Sequence, residues 1–299
     1  MANTVDQPAA ARAPLGAGSA ANRFVLKIWL VIVAAGAVGW WFGVKPNGDG
    51  DDLMKYAKIR AFLDSGAWFD RVVPGILQPE PFQSHWPRLL DLPYALVAWL
   101  LTPVAGRDAA LQAAAFAVPL LLLLVALLLY RRIIAALGFE RPDAAFLLAL
   151  LPAAHALFEF WPARVDYHNV EILALLAVIV LTFRRTAASA GLSGAIVGVT
   201  LAMSTEFALY FAAIMAVLAF EFARGDQGGR MRLGWFGAAL GLAALFAYAL
   251  TVPPGSYAAI ACDSYSPPQL LALLLGAVCF VAGAALGGAA QRPLPRAAL

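Results

Sequence analysis

Two polar clusters interrupt an otherwise apolar chain. The first is Gly48-Asp49-Gly50-Asp51-Asp52-Leu53-Met54-Lys55-Tyr56-Ala57-Lys58-Ile59-Arg60, and the second is Arg164-Val165-Asp166-Tyr167-His168-Asn169-Val170-Glu171. Carboxylates gathered in a glycine-rich turn can converge on a hard cation such as Mg²⁺ or Mn²⁺, which binds one or two protein carboxylates and shares itself with phosphate oxygens. Asp166 and His168, two residues apart, can face one ligand where the backbone is extended. Each feature also has a plainer use. Asp51 or Asp52 can cap a helix that begins near Leu53, Arg164 can be a simple salt-bridge partner, and Glu171 can serve as an N-terminal helix charge. Lys55, Lys58, Arg60, His85 and Arg88 form a basic fringe that suits phosphate and equally suits anionic lipid headgroups. Glu206, in Ser204-Thr205-Glu206 between two short apolar runs, is a carboxylate near membrane depth, where charge is costly and often functional.

The elements that must position these residues are membrane helices. Of the 299 residues, 62% are hydrophobic and 13% charged, and the mean hydropathy is +0.77, so most of the burial has to be found in lipid. The apolar runs are long and rich in Leu, Ala and Val. That excludes a transmembrane barrel, whose strands alternate in polarity, and gives an all-α polytopic membrane protein. With a net charge of +3, the basic residues are spent on orientation and offer no case for nucleic-acid binding. The two cysteines, Cys262 in a loop and Cys279 within the last run, are expected to be unpaired thiols, because a bridge would have to join aqueous loop to membrane depth.

About eight spans are expected, near Phe24–Val44, Ala109–Tyr130, Asp143–Phe160, Val170–Phe183, Ala188–Met203, Phe207–Phe222, Leu233–Val252 and Gln269–Gly288. Residues 1–22 read as a cytoplasmic tail and 23–299 as a single transmembrane domain. Its long first external loop, residues 45–108, contains a short helix over Tyr56–Leu63, the aromatic anchors Trp68, Phe69, Phe82 and Trp86, and an amphipathic segment, Leu89–Thr102, lying at the interface. Arginine placement supports this count. If Leu89–Thr102 does not cross, then Arg131-Arg132, Arg141, Arg184-Arg185, Arg224, Arg230, Arg232, Arg292 and Arg296 all fall on the side of the amino terminus. Both termini are then cytoplasmic in a bacterial-type inner membrane. Asp49–Arg60, His85, Asp166–Glu171, Glu206 and the loop Pro253–Pro268 open on the other face.

These residues resemble a known family. Asp51, with Tyr56 at +5 and Arg60 at +9, resembles the first acidic motif of the oligosaccharyltransferase catalytic subunits, membrane glycosyltransferases of the GT-C class. Asp166-Tyr167-His168-Asn169-Val170-Glu171 is similar to their archaeal second motif, Asp-His-His-Val-Ala-Glu, and Ser84-His85-Trp86-Pro87 to their first external loop. The resemblance covers Phe24–Phe183 and, loosely, the later spans. It implies a GT-C-like fold and a divalent cation, Mg²⁺ or Mn²⁺, held by Asp51, Asp166 and His168. It further implies sugar transfer on the external face from a polyprenyl-phosphate-linked donor, whose phosphates would meet Lys55, Arg60 and His85. Asp51 and Glu206 are the expected catalytic carboxylates, with Asp49, Asp52, Arg164 and Glu171 as supporting residues; the acceptor is unassigned. The chain departs from the family after its last apolar run. It lacks the acidic motif of the fifth external loop and the soluble domain with its Trp-Trp-Asp signature, since Trp40-Trp41 is followed by Phe42. The alternative reading is a non-catalytic or truncated relative that carries a lipid-linked glycan or serves as a partner subunit.

Overall fold

A computed structural model describes residues 19–43, 50–78, 80–226 and 228–287. Asp49, expected to support the site, lies outside the described residues. The chain forms a bundle of α1 Ser19–Trp41, α2 Gly50–Ser65, α3 Leu92–Ala105, α4 Arg107–Ala136, α5 Pro142–Leu150, α6 Ala154–Phe158, α7 His168–Phe183, α8 Ala187–Met203, α9 Ala208–Ala223, α10 Gly229–Thr251 and α11 Pro267–Leu286. Among these, α1, α4, α10 and α11 are long and apolar enough to cross a membrane, while α3, α7, α8 and α9 are shorter apolar helices. Large apolar side chains such as Val31, Leu100, Leu209, Leu242 and Val278 remain exposed on the outer faces. That is the pattern expected where lipid, not protein, covers the helix. The protein is a multi-pass membrane protein.

Three local departures from the expected layout have clear causes. The short helix expected over Tyr56–Leu63 begins at Gly50, so Asp51 and Asp52 lie within its first turn instead of capping it from outside. The first loop also contains an antiparallel hairpin, β1 Val72–Gln78 and β2 Glu80–Gln83, with Val72 opposite Gln83. The expected span Asp143–Phe160 is broken into α5 and α6. Pro152 cannot donate to Leu148 and crowds that carbonyl, and the chain tightens there into short-range turns, Leu151 N–H to Leu148 O and Ala154 N–H to Leu151 O.

The amphipathic segment turns its buried face to protein. A single residue, Gly106 at φ +76°, reverses the chain so that α3 packs back along the first turns of α4. Tyr94, Ala95 and Ala98 are buried with Ala110, Leu111 and Ala114 in one cluster. Farther along, small residues let backbones touch. A Cβ on Gly194 of α8 would overlap the Phe236 carbonyl of α10, and one on Gly198 would come within 2.8 Å of Leu240 O. Gly237 repeats the device toward α11, where a Cβ would lie 2.9 Å from Ala277 O.

The polar groups segregate to opposite ends of the bundle. At one end Asp52 meets the loop before α7. At the other, Arg131 pairs with Asp143 at 2.6 Å, Arg185 pairs with Glu221 and Asp226 at 3.2 Å each, and Arg232 pairs with Glu221. The 16 residues of α7 separate the two ends by about 24 Å at 1.5 Å per residue.

Candidate functional site

The site is built on Asp52. It is almost fully buried, yet its carboxylate accepts the backbone N–H groups of Val165 (2.8 Å) and Asp166 (2.9 Å) on Oδ1, and the Arg164 guanidinium (2.6 Å) on Oδ2. One side chain of α2 thus holds three donors of the loop before α7, more than a hundred residues away. Arg164 also pairs with Glu159, and its carbonyl accepts from Tyr94 Oη (3.2 Å) and Asn169 Nδ2 (3.3 Å). The loop is fixed from a third side by α4. Pro119 leaves the Ala115 carbonyl without its helical N–H partner, and that carbonyl accepts instead from Ala163 N–H at 3.0 Å. Ala163 adopts φ +72°, a conformation that costs a non-glycine residue about 1 kcal/mol and persists only where its surroundings enforce it.

From this anchored loop His168 projects into a ring of carboxylates. Its Nε2 is 3.4 Å from Asp166 Oδ2, and its Nδ1 is 3.4 Å from Glu171 Oε2 and 3.6 Å from Glu206 Oε2. His168 precedes the Val170–Phe183 span, and its hydrogen bond to Glu171 pushes its pKa up to about 9, against the opposing effect of burial. Glu206 reaches the cluster from the loop between α8 and α9 and accepts a hydrogen bond from Tyr167 Oη.

Beside the ring, Lys55 is buried with its Nζ 5.3 Å from the centre of the Trp86 ring and 5.1 Å from that of Tyr167. Burial lowers its pKa, while the charges of Asp91, Asp166, Asp52 and Asp51 oppose the shift. Asp51 itself is half-buried and acts electrostatically on both Lys55 and His85. His85 packs on Trp86, with ring centres 4.2 Å apart, and its pKa is lowered by burial. The structure therefore gathers Asp52, Lys55, Arg164, Asp166, His168, Glu171 and Glu206, with Asp51 and His85 at the edge. It does not gather Arg60. That side chain is exposed two turns along α2, paired with Asp108 at 3.0 Å, because eight residues of helix turn it away from Asp52 and carry it about 12 Å along the axis.

A second buried ionic group escaped the sequence reading. Asp91 is fully buried, with Lys58 at 3.4 Å and Arg88 at 3.2 Å on the same Oδ2. Lys58 also donates to Trp86 O (2.9 Å), and Arg88 to Lys58 O (2.7 Å), so this pair of cations ties α2 to the segment bearing His85 and Trp86. The available signal was an acid inside the apolar run Leu89–Thr102, which has to find a base when buried. The last turn of α10 also meets the first loop, with Trp68 Nε1–H donating to Leu250 O at 2.6 Å. Cys262 and Cys279 are both free.

No protein-family model matches this sequence, and no curated protein matches it significantly. Solved structures do. The chain is similar to the apo form of the oligosaccharyltransferase of Archaeoglobus fulgidus, with a TM-score of 0.64 and 20% identity over 88% of this chain and 34% of that one. The fold is oligosaccharyltransferase-like. The same holds against oligosaccharyltransferase AglB of that archaeon in complex with an inhibitory peptide and a dolichol-phosphate, with a TM-score of 0.59 and 19% identity over 84% of this chain and 32% of that one. The chain spans about a third of the length of these structures, and the GT-C resemblance stated from its two motifs is met at the level of fold.

Proposed function

We propose that this protein is a metal-dependent membrane glycosyltransferase that moves a sugar or glycan from a polyprenyl-phosphate-linked donor. The observation that carries the reading is the meeting of the two motifs: Asp52 binds the Asp166 loop directly, within an oligosaccharyltransferase-like fold. The site would face the outside of a bacterial-type plasma membrane with both termini cytoplasmic, a reading supported by the arginine clusters at the opposite end of the bundle.

The donor set fits a divalent cation. Asp51, Asp52, Asp166, Glu171 and Glu206 outnumber the cations Lys55 and Arg164 around them, and Glu171 Oε1 is buried without a hydrogen-bond partner among the described residues. His168 and the carboxylates flanking it, Asp166 from one side and Glu171 and Glu206 from the other, are the residues that would hold it, with Asp51 at the edge of the group. Its chemistry there is that of a Lewis acid, offsetting charge on the departing phosphate. The chain's own residues do the rest. Lys55, clamped between Trp86 and Tyr167, presents an ammonium with little freedom left to lose, and His85 offers a second contact to phosphate. Arg164 is committed to Asp52 and Glu159 and serves to set the loop. Arg60, expected at the phosphate, is bound to Asp108 and has no place in this reading.

The test is calorimetric titration of Mn²⁺ into the detergent-purified protein, followed by incubation with a polyprenyl-phosphate-linked sugar, with water as the acceptor. Saturable binding that weakens at least tenfold in both Asp51→Ala and Asp166→Ala, with Mn²⁺-dependent release of the polyprenyl phosphate, is the expected result. Wild-type protein that neither binds Mn²⁺ nor releases the lipid would sink the proposal. Binding without release would return the protein to the non-catalytic reading.

A further inference from the structure

Asp263, in the loop between α10 and α11, is a carboxylate that the site described above does not use. It makes no hydrogen bond or ion pair among the described residues, yet its charge acts on two basic groups of the first loop. Burial lowers the pKa of both Arg71 and His85, and the Asp263 charge is the first of those opposing the shift in each. Arg71 is unspent as well. Its Nε is buried without a hydrogen-bond partner, and its guanidinium closes no ion pair, among the described residues. Two opposite charges thus stand near one another across a gap.

Both walls of that gap are held in place. The Arg71 carbonyl accepts the Ser84 N–H at 2.9 Å, and the Asp70 carboxylate accepts the Val72 N–H at 3.0 Å where β1 begins. On the other side Tyr265 Oη donates to Ala244 O of α10 at 3.1 Å, Gln269 Nε2 donates to Ala261 O at 3.1 Å, and Ser266 Oγ accepts the Ala261 N–H at 3.2 Å. A carboxylate and a guanidinium kept apart by fixed walls suit a ligand group that donates and accepts at once. A sugar hydroxyl does both, giving its O–H to the carboxylate and its lone pairs to the guanidinium. Asp263 also borders a small polar cleft, together with Ser264 and with Ser204 and Thr205 of the loop between α8 and α9. Their hydroxyls extend the same chemistry.

We infer that Asp263 and Arg71, with Ser264, Ser204 and Thr205 around them, form the subsite for the sugar ring of the donor. The inference rests on the polyprenyl-phosphate-linked donor of the proposed function and adds recognition of its sugar by the loop between α10 and α11. In such a donor the ring is bonded directly to phosphate. With Lys55 and His85 at the phosphate, the ring falls beside His85, where Asp263 and Arg71 stand. The phosphate contacts are then indifferent to the sugar, and the α10–α11 loop reads it.

Calorimetric titration of the full detergent-purified chain with two kinds of phosphodiester of equal charge tests this. One is polyprenyl phosphate linked to glucose, mannose or galactose in turn; the other is polyprenyl methyl phosphate, which lacks the ring. Asp263 is exposed, so Asp263→Ala keeps the fold, which its melting temperature checks. The expected result is that at least one glycosylated lipid binds wild type more tightly than the methyl diester, and that this preference falls at least about tenfold in both Asp263→Ala and Arg71→Met, the lower end of what one charge-assisted hydrogen bond contributes. Cys262, an exposed free thiol lining the same cleft, gives a second reading. With Cys279→Ser removing the other thiol, the preferred glycosylated lipid should slow labelling of Cys262 by a hydrophilic maleimide, and the methyl diester should not. Equal affinity of wild type for all the lipids, or a preference that Asp263→Ala leaves unchanged because both kinds shift together, would overturn the inference and leave the proposed function standing. Free methyl hexoside protecting Cys262 as well as the glycosylated lipid does would give the cleft to an acceptor and overturn the donor assignment. Failure of every lipid to bind would remove the inference and the proposed function together.

Discussion

Replacing Asp52 tests the joint on which the whole site depends. In Asp52→Ala the N–H groups of Val165 and Asp166 and one arm of Arg164 lose their acceptor. Each buried donor left unsatisfied costs about 1–3 kcal/mol, and stripping one partner from a buried ion pair costs about 3–5 kcal/mol. Arg164 keeps Glu159, so its freed arm counts as one more unsatisfied donor instead of a stripped ion pair, and the lower half of three such costs applies, about 3–6 kcal/mol. Asp52→Asn keeps an oxygen for the two backbone donors but turns an amide N–H₂ toward Arg164, losing one charge-assisted hydrogen bond worth about 1.5–3 kcal/mol. Arg60→Ala is the control, since an exposed pair such as Arg60 with Asp108 contributes less than about 1 kcal/mol. The assay is hydrogen exchange by mass spectrometry on peptides covering 160–170, with thermal unfolding in detergent alongside. At about 1.4 kcal/mol per tenfold, Asp52→Ala should speed exchange of the Val165 and Asp166 amides by at least about 100-fold, with Asp52→Asn between it and wild type. If Asp52→Ala exchanged and melted like Arg60→Ala, the inter-motif joint described here would not exist.

Two further outcomes follow from packing and buried charge. Gly194→Leu should lower the melting temperature sharply through overpacking worth about 1–3 kcal/mol or more, whereas a leucine at Gly276, whose Cβ would meet nothing within 4 Å, should not; equal melting of the two variants would refute the close α8–α10 contact. At the Asp91 group, Asp91→Ala leaves Lys58 and Arg88 buried together and should cost several kcal/mol, while Lys58→Met leaves the Arg88–Asp91 pair intact and should be close to neutral. Burial drops the Lys58 pKa from 10.5 to about 7. The native state therefore binds this proton less tightly than the unfolded state, and stability should rise with pH between about 7 and 10.5, by at most about 1.4 kcal/mol per unit. Below about 7 both states carry the proton and the slope vanishes. Lys58→Met should lack the rise, and an identical pH profile in unfolding experiments on the two proteins would contradict the assignment.

Composition alone determined that this chain lives in a bilayer, because no aqueous core could absorb so much apolar surface, and apolar runs in lipid must be helical. The positions of the helices were legible from run length, and the separation of polar knots from arginine clusters was legible from their alternation along the chain. What the sequence left open was which members of each knot meet. Neighbours on a helix differ by about 100° in direction, so in Asp51-Asp52 one residue can be buried against a distant loop while the next faces the site edge. Spacing cannot say which; the contact with Arg164, Val165 and Asp166 assigns the buried role to Asp52. The same geometry removes Arg60, which shares a motif with Asp51 in sequence but not a place in space. Glu171 and Glu206 come to His168 only because α7 and the loop after α8 reach the same end of the bundle. The broken span at Pro152 and the hairpin at Val72–Gln83 were likewise beyond pattern reading, the first because one proline outweighed a good apolar run, the second because a two-stranded pairing leaves little trace in a loop. Arg88 is a local partner of Asp91, three residues before it, but the second cation, Lys58, was decided by tertiary structure alone, since it lies on a different element and only packing brings it to the buried acid.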